Sequence, residues 1–285
     1  MTKINYSIFH NLFEYDYYNG YIYIYITMTT DRVAVCFFGV IPRSIRYTYE
    51  SIVANIIDPL KEKYEVDIYV FNLDVGDTPV DDMPLCGSDV SIIPATCLEQ
   101  RSQHEVDKEL DCLVAAGICK MRSDYTPKSI RNSLRQMYSE YRVGKWLEEN
   151  QSRYKAAVVC GPDYYILNKL NMTEVDKSMC GGGCMYTSAV NDAGGYTNGF
   201  YIGSLSPMIN ILKRYEIINR LLPTNNDYEH LVKRAFEING ITRCVSDMLF
   251  LKIRRSKKIA RQGVMIHAKF NQIVHDVQKR LDPIT

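Results

Sequence analysis

Three segments of the chain place polar or charged residues directly after apolar runs. Gly39 and Arg43 follow one such run, Asp163 follows a second, and a glycine-rich segment covers residues 191–200. Open parallel α/β sheets bind ligands beyond the carboxyl ends of their strands. A helix start and an arginine fork suit phosphate groups, and an aspartate suits a hard divalent cation beside phosphate oxygens. The combination predicts a site for a phosphate-containing ligand.

Each of these segments also has a simpler explanation. No G-x-G-x-x-G pattern accompanies Gly39, so its segment can be a tight turn followed by a surface arginine. A lone aspartate after Gly-Pro can make a turn. Residues 191–200 can be a hairpin with its flanking turns. The sequence leaves these alternatives open.

Cysteine and histidine patterns do not indicate a further centre. Cys180 and Cys184 flank three glycines, but a zinc site needs a second close pair, and the sequence has none. We interpret this segment as a glycine-rich loop. The five histidines form neither an H-E-x-x-H pair nor a hydrolytic arrangement, so none is assigned a role.

Alternating strands and helices must position the candidate residues. Val33–Phe38 predicts a strand buried on both faces, and the apolar residues from Ile45 to Tyr64 recur with helical spacing. Val66–Asn72 predicts a second strand, which completes a β-loop-α-β unit with a right-handed crossover. Lys155–Cys160 is a further buried strand, and Ile241–Val245 is a late one. This alternation predicts an α/β fold in a single domain.

Further helices and two loop-rich segments fill the rest of the chain. Residues 73–104 are rich in Pro, Gly and Asp and predict a long loop, which at this length is often functional. Residues 180–203 are dense in glycine. Helices are predicted near 105–116, 129–148, 206–222, 228–239 and 270–281.

The first residues differ from the rest of the chain. Residues 1–27 hold seven of the 22 tyrosines and end in a Tyr/Ile alternation that is compatible with an edge strand. Met28 is followed by polar residues and then by a strong strand, which favours a start at Met28. We expect residues 1–28 to be an N-terminal tail, disordered or outside the true start, and residues 29–285 to be the domain.

Composition excludes several classes of protein. The 285 residues carry 34 Lys+Arg against 33 Asp+Glu, a net charge of +1, without the cationic excess of a general nucleic-acid binder. Nine cysteines without a secretory signal indicate a reducing compartment. The sequence has no run of 18 apolar residues that would span a membrane. We therefore expect a cytoplasmic protein that binds no nucleic acid.

A basic run near the C-terminus has two interpretations. Residues 252–261 contain six Lys or Arg, which is typical of a solvated face or of an electrostatic contact with nucleic acid. Because the rest of the chain balances this charge, we favour a local role for Arg254 and Arg255, which would fold back on a diphosphate.

The order of the motifs resembles a known family. Residues 31–258 contain, in sequence, VAVCFFGVIPRSI, YEVDIYVFN, KAAVVCGPDYYIL, GGYTNGFYIGS, YEHLVKRAFEINGI and IRRS. These motifs resemble divergent GT-A-type glycosyltransferases, most of all the set encoded by large DNA viruses of algae and protists. The resemblance implies a GT-A-like, Rossmann-type α/β fold with a mostly parallel sheet flanked by helices. For a viral protein, it implies the host cytoplasm as the location.

The resemblance also implies a role for each matching segment. Gly39 and Arg43 would hold the nucleotide. Asp163, with Mn2+ or Mg2+, would take the place of the metal-binding Asp-x-Asp signature, although this chain has one carboxylate there instead of two. Gly195 and Asn198 would shape the sugar site, and Asn198 stands where relatives often have the aspartate of Asp-Arg-Phe. The remaining predictions assign Asn72, Arg254 and Arg255 to donor binding, and Asp192 and Glu229 to catalysis.

These observations predict a glycosyltransferase that moves a hexosyl or pentosyl group from a nucleotide-diphosphate sugar to a glycan or protein-linked acceptor. An acceptor hydroxyl, deprotonated by a carboxylate near the glycine-rich segment, would attack the anomeric carbon. Two alternatives stay open. One is a non-catalytic nucleotide- or glycan-binding protein that keeps the fold, which the missing second carboxylate favours. The other is a nucleic-acid-associated protein that uses residues 252–261.

Overall fold

The candidate segments are carried by a seven-stranded sheet with helices on both faces. The computed structural model describes residues 14–18, 21–25, 31–115, 126–181, 183–190, 193–221, 227–260 and 268–282. The chain divides into two compact units between Asp31 and Arg32. The seven-stranded sheet belongs to the second unit.

The first unit contains an antiparallel pair of strands, β1 (Glu14–Tyr18) and β2 (Tyr21–Tyr25). The second of these strands coincides with the Tyr/Ile alternation of the sequence. Met28 lies outside the described residues. A dispensable tail over residues 1–28, followed by a domain over residues 29–285, stays a prediction.

The strands of the second unit form a main sheet and a small one. In chain order, the main sheet contains β3 (Arg32–Gly39), β4 (Glu65–Asp74), β5 (Cys97–Ser102), β6 (Ala156–Cys160), β8 (Cys184–Ser188), β9 (Phe200–Ser204) and β10 (Thr242–Ser246). Their order across the sheet is β10-β8-β9-β6-β3-β4-β5. The small sheet pairs β7 (Tyr164–Ile166) with β11 (Phe250–Lys252) in antiparallel fashion.

Most neighbouring strands of the main sheet are parallel. The pairs β5–β4, β4–β3, β3–β6 and β8–β10 are parallel, whereas β9 is antiparallel to both β6 and β8. Gly39 lies opposite Asn72, and Phe37 lies opposite Cys160, so the carboxyl ends of β3, β4 and β6 share one edge. The antiparallel β9 begins at that edge, with Phe200 opposite Cys160. The predicted α/β fold class, a mostly parallel sheet flanked by helices, is confirmed.

Helices cover both faces because successive side chains of each strand enter different cores. Val35 and Cys36, neighbours in β3, are both fully buried, but they belong to opposite faces. One face is covered by α1 (Ile45–Ile52), α2 (Asp58–Lys61) and α5 (Met172–Met179). The other is covered by α3 (Gln103–Ala115), α4 (Pro127–Glu149), α6 (Leu205–Leu212), α7 (Ile218–Leu221) and α8 (Tyr228–Ile238).

A further helix packs against β11 and the residue that follows it. The helix α9 (Ala268–Leu281) buries Val277 and Leu281 against Leu251 and Ile253. No helix in the described part of the chain is long and apolar enough to cross a membrane.

The structure corrects two segments of the sequence interpretation. Residues 73–104, predicted as one long loop, contain β5 and a 3₁₀ turn over Gly87–Ile92. β5 is a polar strand at the edge of the sheet, and its Leu98 is half exposed. Because β5 lacks an apolar run, the sequence pattern does not predict it. Residues 180–203 contain β8 and most of β9, so the glycine-rich segment connects two antiparallel strands. Neither these strands nor the eight-residue α5 has enough periodic residues to be predicted.

Candidate functional site

The carboxyl edge of the sheet brings together the ends of β3, β4 and β6. β3 ends at Gly39, whose φ of 99° turns the chain out of the strand. A 3₁₀ turn over Ile41–Arg43 then leads into α1. The Ile41 N–H donates to the side-chain oxygen of Asn72 on β4, at 3.1 Å. Asn72 of β4 therefore holds the loop after β3 in place, at the edge where ligands of such sheets bind.

A cavity of about 390 Å³ opens at this edge. Its walls come from the loop after β3, the segment Asn72–Asp77 and Gln100 of β5. The Asn72 amide donates to the Gln100 side-chain oxygen, and the Gln100 amide donates to Asp74, each at 3.0 Å. This hydrogen-bonded chain ends on a carboxylate, so Asp74 is a hydrogen-bond acceptor in the cavity wall. The volume suits a small-molecule ligand.

Beside the cavity, two arginines face the carboxylate of Asp163. The Nη1 atoms of Arg43 and Arg254 lie 4.0 Å and 3.9 Å from Asp163 Oδ2. Asp163 lies between β6 and β7, immediately before Tyr164, and is 8% exposed. Arg254 follows β11, and the Ile253 N–H donates to the Asp163 carbonyl at 2.7 Å. The small β7–β11 sheet thus positions Arg254 beside the end of β6.

Arg43 is held in its orientation by Asp81. Its Nε and Nη2 atoms donate to the two carboxylate oxygens of Asp81 at 2.9 Å and 2.8 Å. Burial by itself would raise the pKa of Asp81, but the hydrogen bonds from Arg43 hold this pKa below its usual value. With Nε and Nη2 engaged, the Nη1 edge of Arg43 is the one that faces Asp163.

Arg255 anchors the loop between β4 and β5. Its Nε donates to the Pro84 carbonyl at 3.0 Å, and its Nη1 lies 3.5 Å from Asp89. Arg46 donates to the other oxygen of Asp89 at 2.7 Å. Arg46, Arg255 and Asp89 form one cluster with Arg43, Arg254, Asp81 and Asp163. The cluster contains four arginines and three aspartates, which leaves one net positive charge.

Arg254 carries the least compensated charge of this cluster. Within the described residues its guanidinium makes one ion pair, the long contact with Asp163, and no hydrogen bond. Burial, followed by the charge of Arg43, lowers the pKa of Arg254 from its ordinary value because both disfavour the cation. An anion bound between the guanidiniums of Arg43 and Arg254 would offset both the burial of Arg254 and its repulsion by Arg43.

The residues around Asp163 do not by themselves fit the Mn2+ or Mg2+ that the resemblance implies. A carboxylate is the right type of ligand for these ions. In the part of the chain that the structure describes, however, no group of three His, Cys, Asp or Glu side chains is arranged to hold a metal ion. The charged groups that pair with Asp163 are guanidiniums, which repel a cation. The dependence on a metal therefore stays a prediction.

The glycine-rich segment packs against the start of α8. A Cβ on Gly195 would lie 2.2 Å from the backbone carbonyl carbon of Glu229, so only glycine fits at this position. The Tyr196 N–H donates to the Glu229 carbonyl at 3.0 Å. At the other end of the segment, the Tyr164 hydroxyl donates to the carbonyl of Asn198, which is buried. The segment thus connects the end of β6 with the start of α8.

Two carboxylates, Asp192 and Glu229, are predicted to be catalytic. Asp192 lies outside the described residues, whereas the structure describes Glu229. Burial is the main cause that raises the pKa of Glu229, and the charge of Asp227 adds to it, whereas Lys252 opposes the shift. The Lys252 ammonium lies 5.5 Å from the centre of the Tyr164 ring. Lys252 therefore interacts both with Glu229 and with Tyr164, the residue that follows Asp163.

The structure groups the predicted site residues in two sets. Gly39, Arg43, Asn72, Asp163, Arg254 and Arg255 lie at or beside the carboxyl edge, and Gly195, Asn198 and Glu229 belong to the glycine-rich segment and α8. The sequence analysis missed the acidic partners Asp74, Asp81 and Asp89. They lie in the Pro-, Gly- and Asp-rich segment 73–104, but no spacing rule shows which aspartate meets which arginine.

Comparison with known proteins gives a likeness in fold. No protein-family model and no curated protein sequence matches the chain. Mouse xyloside xylosyltransferase 1, in its apo form, is 8% identical with a TM-score of 0.42, over 75% of this chain and 84% of that one. Core-mannan synthase A from Aspergillus fumigatus, in a form with Mn and GDP, is 8% identical with a TM-score of 0.44, over 84% of this chain and 79% of that one. At such low identities and scores, function has to be inferred from the residues of this chain.

Proposed function

We propose that the protein is a glycosyltransferase that moves a sugar from a nucleotide-diphosphate donor to a glycan or protein-linked acceptor. The observation that carries the proposal is the convergence of Arg43 and Arg254 on Asp163, beside a cavity of about 390 Å³ at the carboxyl edge of the sheet. A donor of this class joins a nucleoside, a diphosphate and a sugar in series. We assign each of these three parts to a group of residues at or beside this edge.

The cavity suits the nucleoside. It lies at the ends of β3, β4 and β5, and the Asn72–Gln100–Asp74 hydrogen bonds fix the orientation of its polar wall. The carboxylate of Asp74 can accept a hydrogen bond from a ribose hydroxyl or from a base N–H group. Asn72 then acts by holding both the wall and the loop after β3 in place, which is consistent with its predicted role in donor binding.

The arginines suit the diphosphate. Hydrogen bonds between ionised groups are worth about 1.5–3 kcal/mol each. The bond between the sugar and the diphosphate breaks during transfer, and the leaving diphosphate gains negative charge. Guanidiniums that are already placed, as Arg43 is by Asp81, stabilise this charge without reorganisation. Mn2+ or Mg2+ is a predicted addition to these charges, and its effect is measured in the experiment below.

The sugar and the acceptor would lie toward the glycine-rich segment. Asn198 marks the end of this segment near Tyr164, and Gly195 marks the end near Glu229. An acceptor hydroxyl placed here attacks the anomeric carbon while a nearby base takes its proton. Asp192 and Glu229 are the carboxylates predicted for that role.

The thiols agree with a cytoplasmic location, which we include in the proposal. All eight cysteines within the described residues are free. Free thiols are usual in a reducing compartment. A viral source and a lack of nucleic-acid binding are further predictions from the sequence that belong to the same proposal.

A thermal-shift panel of uridine and guanosine diphosphate sugars, with and without manganese, tests donor binding. A ligand at about 100 times its dissociation constant stabilises the protein by about 2.7 kcal/mol. Arg254→Ala should weaken binding of the best donor by about 10- to 100-fold, the loss of one charge-assisted hydrogen bond. Arg131→Ala is the matched control, because Arg131 has a similar exposure and pairs with Asp111 on another part of the surface.

Three outcomes separate the candidate functions. Donor binding that needs Arg254, together with release of the nucleoside diphosphate, supports the glycosyltransferase. The same binding without turnover supports the non-catalytic alternative. Absence of a shift with every nucleotide sugar, or an equal loss in the Arg131 control, contradicts a donor site at this edge.

A further inference from the structure

A histidine–aspartate pair lies at the start of α8, beside the glycine-rich segment. We propose that His230, oriented by Asp227, accepts the proton of the acceptor hydroxyl during sugar transfer. The inference rests on the proposed glycosyltransferase function. It assigns a catalytic role to His230 and a positioning role to Asp227, two residues that the sequence analysis left without a role.

The pair has the geometry of an oriented base. The Nδ1 atom of His230 lies 2.5 Å from Oδ1 of Asp227, and the same oxygen accepts from the His230 N–H at 3.1 Å. Asp227 is buried, whereas 37% of the His230 side chain is exposed. In the tautomer that the proposal requires, the neutral ring donates from Nδ1 to the carboxylate of Asp227. The other ring nitrogen, Nε2, is then left with a lone pair that can take a proton.

The glycine-rich segment borders this nitrogen. A Cβ on Gly194 would lie 3.7 Å from Cε1 and 3.8 Å from Nε2 of His230, at ordinary van der Waals contact, so Gly194 lies against the outer edge of the ring. The φ of Gly194 is 82°, which favours glycine. With glycine at this position, no side chain of residue 194 covers Nε2.

The same segment connects His230 with the diphosphate residues. Gly195 contacts the backbone of Glu229, next to His230, and Asn198 accepts the hydrogen bond from Tyr164, next to Asp163. The five residues from 194 to 198 span at most about 17 Å when extended. A sugar joined to a diphosphate between Arg43 and Arg254 would lie along this segment, and an acceptor that enters from the α8 end would carry its hydroxyl between the anomeric carbon and His230.

The chemical step is a displacement at the anomeric carbon. The acceptor oxygen forms a bond with that carbon, and the bond from the carbon to the diphosphate oxygen breaks. The electron pair of the broken bond leaves with the diphosphate. The hydroxyl proton passes to Nε2 of His230, and the resulting imidazolium is stabilised by the carboxylate of Asp227.

Glu229 is the competing base, and its surroundings make it the weaker candidate. Glu229 accepts its own backbone N–H, and it interacts electrostatically with Lys252 and His230. Its neighbouring residues therefore constrain its carboxylate. Asp227 has a structural role as well, because it caps the helix. Variants of His230 separate proton transfer from helix capping, because they keep the backbone N–H that Asp227 caps.

The experiment measures donor binding and sugar transfer separately for each variant. The probes are the uridine or guanosine diphosphate sugar that gives the largest melting shift and a panel of p-nitrophenyl glycosides as acceptors. His230→Gln and His230→Ala should transfer sugar about 100-fold more slowly or worse, with a donor dissociation constant within about twofold of native. Added imidazole should restore transfer by about 10-fold in His230→Ala, which a structural role would not explain. His275→Ala, an exposed histidine on α9, is the matched control.

The outcomes distinguish this inference from the function on which it rests. Native-like transfer by both His230 variants overturns the role of His230, whereas the glycosyltransferase proposal stands. Loss of transfer without any rescue by imidazole, or with an equal loss of donor binding, also overturns it. If the native protein binds no nucleotide sugar, the proposed function fails first, and the inference falls with it. If His230→Ala does not fold, His230→Gln decides the outcome by its transfer rate at native donor affinity.

Discussion

Replacing Glu140 with glutamine tests how the start of α8 is held in place. Glu140 on α4 and Arg214 are completely buried, and Nη1 of Arg214 lies 2.7 Å from Oε2 of Glu140. The hydroxyl of Tyr228 donates to Oε1 of Glu140 at 3.2 Å and accepts from Nη2 of Arg214 at 2.8 Å. Tyr228 stands between Asp227 and Glu229, so this ion pair fixes the residue between two groups of the candidate site.

The magnitude follows from burial of the pair. Glutamine keeps the size of Glu140 but removes its charge, which leaves the Arg214 guanidinium buried without a counter-charge. The Nε of Arg214 has no hydrogen-bond partner within the described residues even in the native chain. Removing one partner of a buried ion pair costs about 3–5 kcal/mol. At about 2–4 °C per kcal/mol for a domain of this size, the melting midpoint should fall by roughly 6–20 °C.

Urea and thermal unfolding of three variants check this prediction. Glu148→Gln is the control, because Glu148 is partly exposed where it pairs with Lys213, and such pairs contribute little. The double variant Glu140→Gln/Arg214→Met removes both charges and should recover most of the lost stability, because no charge is then left buried without its partner. A loss below about 1 kcal/mol for Glu140→Gln, or a double variant no more stable than the single one, would refute the reasoning.

Three further predictions concern the site itself. Asp163→Asn should lower donor turnover by about 100-fold or more at a temperature where both proteins are folded, because the carboxylate of Asp163 places the two guanidiniums. Equal turnover with manganese titrated would remove Asp163 from the mechanism. Gly195→Ala should cost roughly 1–3 kcal/mol in urea unfolding, because a Cβ would meet the Glu229 backbone at 2.2 Å, and an unchanged urea midpoint would contradict that packing. The pKa of Asp81 is lowered on folding, so its pair with Arg43 stabilises the fold above the usual carboxyl pKa of about 4, and this effect is lost as the pH falls through the folded value. The difference in melting midpoint between native protein and Asp81→Asn should therefore shrink between about pH 7 and pH 3, and a constant difference would exclude the pair as its cause.

Periodic apolar patterns made the framework predictable. The strands β3, β4 and β6 are apolar runs because they are buried on both faces, and that property is visible in sequence. Once these strands are parallel neighbours, the residues after them must share one edge. Gly39, Asn72 and Asp163 could therefore be assigned to one ligand-binding edge without a structure.

Short strands and polar elements escaped prediction because too few residues repeat. The pairing of β7 with β11 involves three residues on each side, yet it places Arg254 beside Asp163. The edge strand β5 has only one face to bury and presents mixed polar residues. The sequence left open that the glycine-rich segment forms a hairpin. It did not show which residues of β9 would pair with which residues of β6.

The sequence by itself therefore determined the α/β class, the parallel strands and the edge that carries the candidate site, because each depends on burial repeated along the chain. The tertiary structure alone decided which charges meet. Arg43 pairs with Asp81 across 38 positions, and Ser44 donates to the Ile253 carbonyl across 209. Even the local pair of Asp227 and His230 acquired its place beside Gly194 only through packing of a distant loop. Such contacts depend on the paths of loops in space, and no repeating pattern along the chain records those paths.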